Sequence, residues 1–187
     1  MWLPLGAGGH SVKYNGRVYE AIAARAQRRP PRALFHAALE VTTGGARYVV
    51  ESAPIPDGRG PAARGVVLEG PVGARWAGRL RLFRYELRCW PAGEIPDRAW
   101  AEPAVAVTDE PAVAARVVAL APQVPPHVWG RDPGGAGEMW NSNSIVAWLL
   151  QRAGVDAAAV PLPAGGRAPG WGAGLLEAGR VTATGAR

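Results

Sequence analysis

The residues whose types and spacing can do chemistry are concentrated in Asn141-Ser142-Asn143-Ser144, directly ahead of the apolar run Ile145-Val146-Ala147-Trp148-Leu149-Leu150. The pattern predicts a buried helix with Ser142 in its first turn. A side chain there faces unpaired backbone N–H groups and the positive end of the helix dipole, and both stabilise a developing anion. A nucleophilic hydroxyl at that place would carry its own oxyanion donors. His36, the one histidine in the apolar segment Phe35–Val41, supplies a base, and Glu51 supplies a carboxylate on the following segment. Together they describe acyl transfer: Ser142 attacks a carbonyl, His36 takes and returns the proton, and Glu51 orients the imidazole.

Each of these residues also has a purely structural reading. Asn and Ser are the preferred helix N-caps, and a histidine in an apolar strand is commonly a hydrogen-bonded core residue. Glu51 shares the parity of Val49, so it either points inward toward a His or Arg partner or lies at a strand end in solvent. Asn141 and Asn143 can donate to a substrate carbonyl, although capping alone accounts for them. Trp129 can form a cleft wall and Arg131 can hold a carboxylate or phosphate; the alternative is a core Trp129 and an Arg131–Asp132 pair. Neither a metal nor a cofactor is expected. His10, His36 and His127 lack the short spacings of zinc ligands, and Gly134-Gly135-Ala136-Gly137 lacks the Gly-Lys-Ser/Thr ending of a phosphate loop.

The elements that must position these residues are read from periodicity and turn chemistry. Asn15-Gly16 between Val12-Lys13-Tyr14 and Arg17-Val18-Tyr19 predicts a hairpin, with a helix over 18–29 as the competing reading. Leu34–Val41 and Arg47–Glu51 form an antiparallel pair turned by Thr43-Gly44-Gly45. Pro54–Pro61 is a loop, and Gly65–Glu69 is a short strand. In Leu80–Trp90 the residues Phe83, Tyr85, Leu87 and Cys89 alternate with Arg84, Glu86 and Arg88, which predicts a strand with one core face and one face that is wet or lines a site. Thr108 can cap a helix opening with Asp109-Glu110-Pro111, on which Val113, Val117 and Leu120 share a face. A second helix runs from Ser142 to Ala153, with Gly154 as its stop. The expected fold is α+β: an antiparallel sheet with C-terminal helices packed on it. It forms a single domain over 1–154, followed by an Ala/Gly/Pro-rich tail over 155–187 that is expected to be disordered.

Composition limits the partners. The 187 residues carry a formal charge of +6. The 21 basic side chains include a single lysine, Lys13, and are dispersed rather than gathered on one stripe. Specific nucleic-acid binding is therefore not expected, and the closest cluster, Arg25, Arg28, Arg29 and Arg32, is read as a solvated linker. Cys89 is the only cysteine, so disulfides and thiolate metal clusters are excluded within the chain, and its place in an apolar strand makes it a core residue. With neither a signal-peptide pattern at Met1–Gly6 nor an apolar run of membrane-spanning length, the expectation is a cytoplasmic protein acting on a small-molecule, peptide or lipid substrate. The oligomeric state is not fixed by the sequence.

Three segments resemble the circularly permuted papain-like superfamily, which includes lecithin retinol acyltransferase-like proteins and related bacterial hydrolases. His36-Ala37-Ala38-Leu39-Glu40-Val41 is similar to its histidine strand, Tyr48-Val49-Val50-Glu51-Ser52-Ala53-Pro54 to the strand of its second polar residue, and Asn141-Ser142-Asn143-Ser144-Ile145-Val146 to its Asn-Cys-x-x-Phe-Val helix start. The resemblance covers roughly residues 11–154 and implies a permuted papain-like fold with His36, Glu51 and Ser142 at its site. Ser142 stands where the family has cysteine, and Glu51 where many members have histidine. A serine hydroxyl must lose its proton to a base during attack, whereas a thiol paired with histidine ionises beforehand. The resemblance thus implies either a serine-dependent amidase, peptidase or acyltransferase, or an inactive relative that binds a peptide, lipid or small metabolite.

Overall fold

A computed structural model describes residues 1–5, 20, 24–25, 28–54, 65–95 and 98–184. Six strands are seen: β1 (Trp2–Pro4), β2 (Phe35–Ala37), β3 (Leu39–Thr43), β4 (Ala46–Pro54), β5 (Val66–Pro71) and β6 (Arg84–Pro91). Three α-helices follow: α1 (Pro111–Leu120), α2 (Ser142–Ala153) and α3 (Trp171–Thr184). β3, β4, β6 and β5, in that order, form a fully antiparallel sheet, and β1 pairs with β2 in a separate ribbon. The α+β arrangement expected from the sequence is present. The hairpin over 12–19 and most of the loop over 54–61 lie outside the described residues, as does His10.

The β3–β4 hairpin closes as its sequence demands. Thr43 opposes Ala46, and the two residues between them, Gly44 and Gly45, have φ of 59° and 76°, the left-handed pair that matches strand twist in a two-residue turn. Across the sheet the two faces diverge. Phe35, Ala37, Leu39, Val41, Val50, Tyr85 and Leu87 belong to the main core, together with Val113 and Val117 of α1 and Ile145–Leu150 of α2. Ala38 and Val49 join Leu3 and Ile95 in a second, smaller cluster on the other face. The alternation from Phe35 to Val41 is unbroken, so β2 and β3 behave as one long strand.

Several boundaries differ from expectation. β6 begins at Arg84 rather than Leu80, because 76–79 and 81–83 form two short 3-10 turns. Its second face is mixed: Arg84 is partly exposed, while Glu86 is fully buried and accepts a 2.6 Å bond from Arg88 Nε, and pairing is what allows a carboxylate to be buried. Thr108 accepts from the Glu110 N–H, but α1 starts only after Glu110 and has no side-chain cap. Cys89 is half-buried against the main core, and burial pushes its thiol up from the usual range.

The stretch from 155 onward, expected to be disordered, carries a 3-10 turn at Ala157–Ala159 and the helix α3. Its small residues are the reason. A side chain at Gly174 would come within 2.1 Å of the Ser144 carbonyl oxygen, so glycine there lets α3 pack directly on α2. Trp171 then anchors the helix: its indole donates to the Ala157 carbonyl and its ring lies 5.1 Å from that of Trp2. Arg29, assigned to a solvated linker, instead holds the buried Glu20, which also accepts from Arg167 and from the Arg32 N–H.

Candidate functional site

The Asn-Ser-Asn-Ser segment opens α2 as predicted, and its polar atoms go mostly to the fold. Asn141 is the N-cap: its Oδ1 accepts from the Asn143 and Ser144 N–H groups, and its Nδ2 donates to the Pro169 carbonyl. Ser144 completes the capping box by accepting from the Asn141 N–H, and its Oγ lies 2.7 Å from the Gly170 carbonyl oxygen. Asn143 is buried and acts as a missing strand. Its Oδ1 accepts from the Ala37 N–H, and its Nδ2 donates to the carbonyls of Phe35 and Pro169. Both amide protons of Asn143 are spent there, so the substrate-carbonyl role considered for it has no donor left.

Ser142, the first residue of α2, is buried, and its hydroxyl has no hydrogen-bond partner among the described residues. The bonds from Asn143 set the start of α2 against β2 on either side of His36. His36 itself pairs with Leu3, and directly opposed residues share a face, so its side chain belongs to the face of the smaller cluster. Glu51, buried and opposite Arg88, lies on the same face as Val49. The structure therefore assembles His36 and Glu51 on one face while the apolar side of α2 packs on the other, and no hydrogen bond joins Ser142 to His36.

Trp129 packs beside Tyr85 at 5.1 Å, and its backbone bridges to Val72. Burial pushes the Tyr85 hydroxyl up to about 12 against the opposing effect of the Trp140 indole, and the hydroxyl donates to the His127 carbonyl. Arg131 does not pair with Asp132; its Nε donates to the Gly73 carbonyl. Asp132 instead accepts from the N–H groups of Gly134, Ala136 and Gly137. Desolvation is the largest single influence and raises its pKa, but those N–H groups together with that of Gly135 outweigh it and hold the carboxyl below its usual range. His127 Nε2 lies 3.2 Å from Glu177 Oε1 but is not aligned as a hydrogen bond. Among the described residues no group of His, Cys, Asp and Glu is arranged to hold a metal ion.

The feature that side-chain reasoning missed is a cavity of about 590 Å³ beside β3. One wall is apolar: Leu39 and Val41 of β3, Val117 of α1, and Val146 and Leu150 of α2. The other is the extended chain from Ala104 to Glu110. Val146 is one helical turn, about 5.4 Å, beyond Ser142 on the same stripe.

Hydrogen-bond parity shows what this slot offers. Leu34 and Ala38 bond to Leu5 and Met1, so the even residues face β1. Phe35 and Ala37 bond to Arg167 and Asn143, so the odd residues face the other edge, and with the alternation unbroken Leu39, Val41 and Thr43 face β4. The N–H and C=O groups of Glu40 and Thr42 consequently point to β1's side, beyond Ala38, the last residue bonded there among the described residues. They have no partner among the described residues and open into the slot. At its mouth Asp109 and Glu110 are exposed and form no ion pair among the described residues, whereas Glu40 is neutralised by Arg47 and Arg98.

No protein-family model matches the chain, and neither a curated protein nor a solved structure matches it.

Proposed function

We propose that this domain binds an extended peptide by strand addition along the free edge of β3, on a permuted papain-like scaffold that need not be catalytic. The observation that carries the reading is the slot itself: backbone donors and acceptors of Glu40 and Thr42 stand unpaired among the described residues, beside an apolar cavity of about 590 Å³. An unpaired edge is a template for another chain, and natural sheets cover edges that have no such use. A strand lying there would continue the line of β1. Its side chains would alternate between the cavity lined by Leu39, Val41 and Val117 and the opposite face, and Asp109 and Glu110 would favour a basic residue beside the apolar ones.

A fluorescein-labelled Lys-Val-Arg-Val-Lys-Leu amide, followed by fluorescence polarisation, tests this. Binding is expected to vanish for Thr42→Pro, which removes one slot-facing N–H and leaves the β3–β4 ladder intact, since proline is tolerated on an edge. N-methylation of alternate peptide residues should abolish binding in one parity and spare it in the other. Absence of binding, or indifference to parity, would overturn strand addition.

A second reading has its own support. The Ser142 hydroxyl is unpartnered among the described residues at the start of α2, where N–H groups favour an anion, and His36 lies on the strand to which that helix start is bonded. On this reading the enzyme is a serine-dependent amidase, peptidase or acyltransferase with His36 as base and Glu51 as its orienting group. A fluorophosphonate that labels Ser142 and fails to label the His36→Ala variant would support it. Peptide retention without labelling leaves the binding domain.

A further inference from the structure

Four of the exposed large apolar side chains, the two most exposed among them, lie together between β5 and β6, away from the slot. Trp76 is 73%, Leu80 58% and Leu82 85% exposed, with Phe83 beside them at 42%. Large apolar groups left this open within eight consecutive residues mark an interaction surface rather than a core. Arg75, Arg79 and Arg81 are interleaved with them, are exposed, and form no ion pair among the described residues; Arg84 is held by Glu69 and the Gly78 carbonyl. From Gly70 to Tyr85 the sequence contains no acidic residue.

The backbone of this segment is closed on itself. Ala77 donates to Ala74, Leu80 to Ala77, Phe83 to Leu80, and Val72 to Phe83, so the two 3-10 turns form a firm knob with little main chain to offer another peptide. Its attraction resides in side chains alone: apolar tips to insert and guanidinium groups among them. That combination matches the boundary of an anionic bilayer, where Trp, Phe and Leu enter the acyl region and arginines meet the headgroups. An anionic bilayer surface attracts each basic residue held near it, and the chain's net charge of +6 adds long-range attraction. No helix among the described residues is long and apolar enough to cross a membrane, so such contact is peripheral. β3 and β5 are opposite edges of the sheet, which leaves the slot available while the knob is engaged.

We propose that the knob formed by Arg75–Phe83 docks this protein on anionic lipid surfaces. Co-sedimentation of the full chain with vesicles tests it, comparing phosphatidylcholine alone with vesicles holding roughly 30% phosphatidylglycerol at about 0.1 M salt. The protein is expected to pellet with the anionic vesicles only and to be released at about 1 M salt, where the charges are screened. The Trp76→Ser, Leu82→Ser double variant is expected to lose at least about tenfold in partitioning, and Arg75→Gln with Arg79→Gln and Arg81→Gln a comparable amount. Circular dichroism checks that these exposed substitutions leave the fold intact. Failure of the wild type to pellet, or equal pelleting of the variants, would overturn the proposal. So would an association in sedimentation velocity that depends on Trp76 and Leu82 without any vesicle binding, since the patch would then be a self-contact.

Discussion

The two edges of the strand running from Phe35 to Thr43 have opposite fates. On one, the α2 start fills the ladder: Asn143 takes the Ala37 N–H and the Phe35 carbonyl, and Arg167 takes the Phe35 N–H. On the other, pairing with the β1 side reaches only Ala38, and the backbone of Glu40 and Thr42 has no partner among the described residues. The polar side chains that look most like a site in the sequence are largely those that close the first edge. The groups free to bind something on the second are main-chain atoms, which are the same in every sequence. A cluster of Asn and Ser ahead of an apolar helix is thus a weaker pointer to function than an edge whose backbone opens on a cavity.

The largest expected effect comes from reopening the closed edge. Asn143→Ala removes three hydrogen bonds and leaves the Ala37 N–H and the Phe35 carbonyl without partners inside the protein. At about 1 kcal/mol or more for each of the two buried groups stranded, the loss is about 2 kcal/mol or more. Urea denaturation should show it as a lower midpoint with an unchanged slope. A loss below about 1 kcal/mol would mean that water replaces the amide without penalty, and the contrast between the two edges would then lose its basis.

How far the sequence reveals this arrangement depends on whether local chemistry or tertiary packing decides. The Gly44-Gly45 turn, the β3–β4 pairing, and α2 from Ser142 to its Gly154 stop at φ 96° are fixed by residues close in the chain, and all are legible. α3 is not, because an Ala/Gly-rich stretch gives little hydrophobic periodicity and is held by what it touches: Gly174 on Ser144, Trp171 on Trp2. The alternation from Leu80 misleads at its start, since Leu80, Leu82 and Phe83 are apolar but exposed. The burial of Glu86 on the second face of β6 depends on its pairing with Arg88, which a strand pattern that reads this face as wet or lining a site does not specify. Glu51 can be placed on the parity of Val49 from the sequence, whereas the face it shares with His36 depends on the strand register. Which side of the sheet α2 would cover cannot be read there, because that choice is made by contacts a hundred residues away.

The second effect concerns pH, and again only the closed edge. The hydrogen bond from Arg29 lowers the Glu20 carboxyl, burial opposes this, and the Arg32 N–H and the charges of Arg29 and Arg167 lower it further, to about 2 from 4.5. A carboxylate whose pKa is depressed in the folded state contributes stability that is complete above its unfolded pKa and is lost as pH falls through the folded one. Stability should therefore decline between about pH 4.5 and pH 2, in part through Glu20. Because Arg167 both pairs with Glu20 and bonds β2 beside Asn143, protonation loosens the edge that Asn143 closes. Thermal melts of Glu20→Gln across that range should start from a lower melting temperature and fall less steeply than wild type. Parallel curves would remove Glu20 from the account.

The smallest effect is the most discriminating within the α2 start itself. Asn141→Ala deletes the N-cap and should cost about 1 kcal/mol. Ser142→Ala, one residue on, deletes a hydroxyl that holds nothing among the described residues, and should change stability by no more than about 0.5 kcal/mol. A hydroxyl that makes no hydrogen bond among the described residues and is dispensable for folding is the one polar group of this helix start left over from capping. If Ser142→Ala stabilises the protein while fluorophosphonate labelling of the wild type is absent, the hydroxyl has no catalytic use, and the open β3 edge is left as the site. If the variant is neutral and wild-type labelling depends on His36, the helix start serves chemistry as well as closure, and the two edges of the strand are coupled parts of one site: one binding a chain, the other acting on it.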